Sequence, residues 1–130
     1  MKTTSIVLGL LWVANGFATT HAVNPGESIQ VAVNNSVNGD TILIGDGIYV
    51  ETVVLYGKTL TIGSTYLLDQ DTSHIAATFV FPDDARPDTG SCFVYSYGEG
   101  EESRLIGVTL TNGHGTYWAI ADNLAGGALY

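Results

Sequence analysis

Residues 38–64 read NGDTILIGDGIYVETVVLYGKTLTIGS. These 27 residues pack several short β segments, most of them closed by a glycine or an Asp-Gly corner. Apolar residues recur two apart: Ile42 and Ile44, Val53 and Leu55, Leu60 and Ile62. A period of two puts each pair on one face of a strand. The connections are too short for crossover helices, and no two-residue Asn-Gly hairpin loop separates the strands. A chain that turns corners in one sense and keeps one face inward winds into a β-solenoid. The competing all-β arrangement, a sandwich of antiparallel strands, calls for hairpin loops where this chain has glycine corners.

Upstream, residues 23–27 (VNPGE) form a turn. The Ser28 hydroxyl is suited to accept from the free backbone N–H groups of a first helical turn. Ile29, Ala32 and Val33 then share one helical face, and Asn34-Asn35-Ser36 with Asn38-Gly39 stop the helix. The first coil of a solenoid exposes an apolar cross-section, and this helix is placed to be its lid. Asn34-Asn35-Ser36 also matches a glycosylation acceptor pattern.

Strands are expected at about 41–44, 48–51, 53–56 and 59–64, then at 77–81, 92–97 and 105–111. Residues 65–74 (TYLLDQDTSH) and 82–90 (PDDARPDTG) read as loops, and 98–103 (GEGEES) as an acidic turn. Asn112-Gly113 ends the strand before it, and Tyr117 and Trp118 fall in a later loop. Ile42, Leu60 and Phe79 are separated by 18 and 19 residues, which predicts one coil per ~20 residues.

Residues 1–22 stand apart from this pattern. Lys2 is the lone charge of a short leading segment. Residues 6–14 (IVLGLLWVA) are an apolar run of nine, too short for the ~20 residues a membrane-spanning helix needs. Thr20-His21-Ala22 offers small residues at the positions a signal peptidase reads. Residues 1–22 are therefore expected to be a secretory signal peptide, with a mature chain from Val23 of 108 residues and no membrane span. The mature chain is expected to be secreted, extracellular or displayed at the cell surface.

Loss of Lys2 takes the net charge from -9 to -10, leaving Lys58, Arg86 and Arg104 against 13 acids. Nucleic acid and anionic lipid are excluded as partners on that balance. An acidic surface suits divalent cations, neutral glycans or a cell-surface protein. Cys92 is the sole cysteine, so no internal disulfide forms; inside the apolar run SCFVYSY it reads as a small buried hydrophobe. His74 and His114 sit in separate loops without metal-ligand spacing and read as surface residues.

Asp69-Gln70-Asp71 and Asp83-Asp84 with Asp88 are the groups that offer oxygen ligands to calcium. They lack the spacing of an EF-hand or a nonapeptide repeat, so solvated turn acids explain them and no cofactor is expected. Arg86 and Arg104 each have acids close by, Asp83, Asp84 and Asp88 for the first and Glu101 and Glu102 for the second. Surface ion pairing accounts for both. Phe93, Tyr95 and Tyr97 alternate and are expected on one face, either in the core or as a stacking surface for sugar rings. No strained G-x-S-x-G turn occurs, and GEGEES carries acids where a phosphate-binding loop needs lysine.

Residues 39–49 (GDTILIGDGIY), Glu51, and Gly57-Lys58-Thr59-Leu60-Thr61-Ile62 resemble the opening coils of right-handed parallel β-helix proteins of the pectin-lyase-like superfamily. That superfamily includes pectate lyases, pectin methylesterases and many secreted bacterial proteins. Residues 105–113 (LIGVTLTNG) are similar to its recurring strand followed by Thr-Asn-Gly, and 126–130 to its Gly-Gly corner. The resemblance covers most of residues 24–130 and implies an all-β right-handed parallel β-helix with a short N-terminal capping helix. It is specific for fold and poorly specific for activity, since these motifs are scaffold. Neither the aspartates and arginine of an esterase nor the calcium-binding acids and base of a lyase fall on matched positions, so no catalytic or metal residue is transferred.

At the far end, Ala128-Leu129-Tyr130 stops mid-strand with no cap. Residues 23–130 are accordingly expected to be the N-terminal coils of a longer, C-terminally incomplete domain. The expected function is a non-catalytic scaffold that contacts glycans or partner proteins. The alternative is the N-terminal fragment of a polysaccharide-active enzyme of pectate lyase, pectin esterase or glycosidase type.

Overall fold

The computed structural model describes residues 16–83, 90–118 and 123–125. Along the chain run β1 (Thr20–Val23), α1 (Ile29–Asn35), β2 (Thr41–Ile44), β3 (Gly47–Val50), β4 (Val53–Val54) and β5 (Thr61–Ser64). They are followed by α2 (Tyr66–Asp69), α3 (Ser73–Ala77), β6 (Thr78–Phe81), β7 (Phe93–Val94), β8 (Arg104–Ile106), β9 (Thr109–Leu110), β10 (Thr116–Trp118) and β11 (Asn123–Ala125). The fold is β-rich with few helices. Residues 1–15 of the expected signal peptide at 1–22, the corner at 126–130, most of the 82–90 loop and the side chains of Asp84, Arg86 and Asp88 lie outside the described residues.

Three parallel sheets carry the structure: β1-β2-β5-β8, β3-β6-β9 and β4-β7. After β1 the chain visits them in rotation, β2-β3-β4, then β5-β6-β7, then β8-β9. Parallel neighbours need a long return path, and here that path is a visit to the other two sheets. The antiparallel pair β10-β11 is the exception among the described strands, and it places Tyr117 and Trp118 in a strand rather than the expected loop.

The alternating apolar residues point inward as their period demands. Ile42 and Ile44 are both fully buried, with Thr41 and Leu43 only partly covered. In the first sheet Ile42 lies beside Ile62, and Ile62 beside Leu105. The repeat is therefore not the 18- and 19-residue spacing of Ile42, Leu60 and Phe79: Phe79 belongs to the second sheet, opposite Ile48. Register returns after 20 residues from Ile42 to Ile62, then after 43 from Ile62 to Leu105. Two insertions lengthen the second circuit. Residues 65–77, with 65–74 expected as a loop, hold α2 and α3; residues 82–92 precede β7. Val53, Leu55, Leu60, Val80 and Phe93 are buried in the same core, each apolar side chain contributing about 1.5–3 kcal/mol by leaving water.

Helix α1 packs against β1, β2 and β4. Ile29 and Val33 are its buried face, and the Ser28 hydroxyl accepts from Val31 N as its cap. The helix is clamped at both ends by the strand layer. Glu51 accepts from the backbone N–H of Ile29 at 2.7 Å and of Gln30 at 3.0 Å, and from the Ser28 hydroxyl at 2.9 Å. Lys58 Nζ donates to the carbonyls of Val33 at 2.6 Å and Asn34 at 2.9 Å. An anion at the helix N-terminus and a cation at its C-terminus both match the helix dipole. Between them the Gln30 side chain donates to Val54 O and accepts from Val54 N, so its amide reads β4 as a neighbouring strand would.

The expected boundary at Val23 falls inside β1, which pairs residue for residue with β2 from Thr20↔Thr41 to Val23↔Ile44. No helix among the described residues is long and apolar enough to cross a membrane.

Candidate functional site

Two stacked turns follow β4 and β7, and each carries a Tyr-Gly pair: Tyr56-Gly57 and Tyr97-Gly98. In the first, Tyr56 and Gly57 both have positive φ (52° and 78°), and Lys58 N donates to Leu55 O at 3.2 Å to close the turn. A left-handed backbone costs a non-glycine residue about 1–2 kcal/mol. Strain of this kind gathers where a side chain is held for a purpose. Here it turns the Tyr56 ring outward, 61 % exposed, beside Tyr97, 53 % exposed. The ring centroids are 5.6 Å apart with a 39° tilt.

Glu99 locks the two turns together. Its carboxylate accepts from Gly57 N at 3.0 Å and from Tyr97 N at 2.9 Å. The turns approach so closely that a Cβ on Gly57 would lie 2.9 Å from the Tyr97 carbonyl oxygen, which explains the glycine there independently of its positive φ. The aromatic pair is thus a fixed platform. A cleft of about 310 Å³ opens beside Tyr56, lined also by Gln30, Asn34, Glu51, Thr52 and Asp83. Two exposed aromatic rings, one of them lining a cleft with amide, hydroxyl and carboxylate groups, are chemically suited to stacking on flat, partly apolar ligands and hydrogen-bonding their edges.

This arrangement differs from the expected single-faced row of Phe93, Tyr95 and Tyr97. Strand β7 spans only Phe93–Val94, so the alternation ends before Tyr97. Phe93 is fully buried and Tyr95 packs against the core, whereas Tyr97 turns out at the corner. Burial, with Glu99 nearby, pushes the Tyr95 hydroxyl up to about 12, and that hydroxyl has no hydrogen-bond partner among the described residues. The repeated Tyr-Gly dipeptide was the available signal for the pair; linking the copies required the register of β4 against β7.

A second cluster gathers where the α2–α3 insertion meets the β2–β3 corner. His74 does not behave as an isolated surface residue. Its Nδ1 lies 2.7 Å from Asp46 and its Nε2 3.0 Å from Asp69. The hydrogen bond to Asp46, then that to Asp69, raises its pKa above the ordinary 6.5. Asp69 is lowered first by accepting from Asp71 N and then by His74, and Asp71 by accepting from Ser73 N. Thr65 also donates to Asp46 at 3.2 Å. The imidazole therefore ties the insertion to the corner. Asp69, Asp71 and His74 each offer one ligand atom within 4.8 Å of one another. Two carboxylates and an imidazole suit a borderline transition metal better than calcium, which takes six to eight oxygens.

Cys92 is fully buried, its thiol 3.4 Å from Val80 O and 3.6 Å from Thr111 O, and burial raises its pKa. Arg104 makes an exposed ion pair with Glu102 at 3.5 Å. His114 is exposed. No family model matches the chain, and no match was found among curated proteins or solved structures.

Proposed function

We propose that this chain forms coils of an exported right-handed parallel β-helix whose Tyr56–Tyr97 platform holds neutral glycans without transforming them. The rotation of the chain through three parallel sheets, with α1 packed against β1, β2 and β4, supports the β-helix reading. The glycan reading rests on one observation: two tyrosines exposed, tilted and pinned at 5.6 Å by Glu99 beside a polar cleft. The C–H faces of a sugar ring carry slight positive charge and settle on the negative faces of aromatic rings. The net charge of -9, or -10 once Lys2 is removed, favours an uncharged ligand over an anionic one. Of the charged groups around the platform, Glu51, Glu99 and Lys58 are engaged with backbone groups, which suits holding over proton transfer.

The test is native affinity electrophoresis through gels cast with neutral or anionic polysaccharides. Retardation by a neutral polymer, abolished by Tyr56→Ala and by Tyr97→Ala, is expected. Equal retardation of the wild type and both variants would refute the platform.

A further inference from the structure

We infer that the chain is processed between Ala18 and Thr19, and that Asp40 is a built-in receptor for the α-ammonium this creates on Thr19. The inference rests on the reading of the N-terminal segment as an export signal, and moves its cleavage site from Ala22 to Ala18. Among the small-x-small sites after the apolar run are Gly16-Phe17-Ala18 and Thr20-His21-Ala22. The peptidase meets an emerging, unfolded chain, so both are open to it. The folded structure distinguishes their products.

Gly16, Phe17 and Ala18 lie outside any strand and are exposed, Phe17 at 88 %. The fold begins one residue later. Thr19 O accepts from Thr41 N at 2.9 Å, and Thr19 N donates to Asp40 Oδ1 at 2.8 Å. His21 Nε2 lies 2.9 Å from Asp40 Oδ2, and Val37 N donates to the same oxygen at 2.9 Å. Asp40 is only 2 % exposed. The bonds from Thr19 and Val37, then that from His21, hold its pKa at about 2, so it is ionised at neutral pH.

A cut after Ala22 would remove Thr20, His21 and Ala22 from β1, leaving Val23 alone of its four residues. It would also remove the Thr19 and His21 partners of Asp40 and leave only the Val37 bond. A buried carboxylate stripped of its donors is costly. Among the described contacts, a cut after Ala18 gives up the exposed 3.4 Å bond from the Thr19 hydroxyl to Phe17 O and leaves β1 and the Asp40 donors in place. Hydrolysis adds water across the Ala18–Thr19 bond: the Ala18 carbonyl leaves as a carboxylate, and the Thr19 nitrogen becomes an ammonium. That ammonium stands where an amide already donates to Asp40, so a neutral hydrogen bond becomes a charge-assisted one. The co-reactant is water, and the catalyst is a peptidase of the signal-peptidase class.

The experiment is export of the full chain from a secreting host, followed by intact mass and N-terminal sequencing. A product starting at Thr19 is expected. A product starting at Val23 would overturn this inference while leaving the export reading intact; a cell-retained chain starting at Met1 would overturn both. Ala18→Leu should block or displace the cut, and Ala22→Leu should leave it in place; the reverse pattern would also overturn the inference. A second readout addresses Asp40. An ion-paired α-amine should titrate above the ordinary 7.7–8.0 and react with an amine-directed ester roughly tenfold more slowly at pH 7. Asp40→Asn should restore the ordinary rate. An ordinary α-amine pKa in the wild-type product, which needs no variant, would overturn the receptor role.

Discussion

Replacing Glu51 by alanine should undock α1 from the strands it packs against. Three hydrogen bonds end on this carboxylate, two from the first backbone N–H groups of α1 and one from the capping Ser28. Loss of a helix cap costs about 0.5–2 kcal/mol. Hydrogen bonds to a charged acceptor are worth about 1.5–3 kcal/mol, and the dipole term adds about 0.3–1 kcal/mol. These overlap, since they describe the same bonds, and Glu51 is partly exposed. A net loss of about 2–3 kcal/mol is expected, which lowers Tm by about 10 °C or more in a domain of roughly 100 residues. Glu51→Gln keeps an acceptor and should lose about half as much. Lys58→Ala removes the clamp at the other helix end. Because each variant releases the same helix, the double variant should cost less than the sum of the singles. Urea unfolding of the wild type and the four variants measures the stability changes, and thermal melts the Tm shift. A Glu51→Ala variant within about 0.5 kcal/mol of wild type, the range of ordinary surface substitutions, would refute the clamp.

Further outcomes follow from single contacts. His74 has a raised pKa, so the stability it gives the α2–α3 insertion is present below 6.5 and is lost as pH rises through the raised value. Hydrogen exchange in residues 66–77 should accelerate over that rise, beyond the intrinsic base catalysis, and His74→Gln should remove the extra acceleration. Tyr95→Phe deletes a buried hydroxyl that has no partner among the described residues; a gain of about 1 kcal/mol is expected by urea melt, and a loss of that size would show a missed partner. Gly63→Ala places a Cβ 2.7 Å from the Ile106 carbonyl oxygen between β5 and β8. It should destabilise by about 1–3 kcal/mol, and a neutral result would contradict the packing of those strands.

The parts of the fold that a local window contains were legible. Strand β2 falls where alternation places Ile42 and Ile44, and α1 starts after Ser28 as its hydroxyl demands. What escaped depended on partners far along the chain. A period of two shows which face is buried but not which strand lies alongside, so Leu60 and Phe79 stood in for Ile62 and Leu105. Helices α2 and α3 are four and five residues long, too short for a 3.6-residue period to emerge from a polar stretch. Glu51 reaches a helix 22 residues upstream, and His74 a corner 28 residues upstream. No neighbouring residue announces either contact. The Tyr56–Tyr97 platform needed the same long-range register.

The most direct test of the platform is a titration of the exported chain with neutral oligosaccharides, read on the ring resonances of Tyr56 and Tyr97 by NMR. Saturable shifts are expected in those two rings and in Gly57, with the buried Phe93 unmoved, and loss of all shifts in Tyr56→Ala while the folded spectrum persists. Saturable binding that leaves both tyrosines undisturbed, or no binding by any neutral oligosaccharide at millimolar concentration, would contradict it.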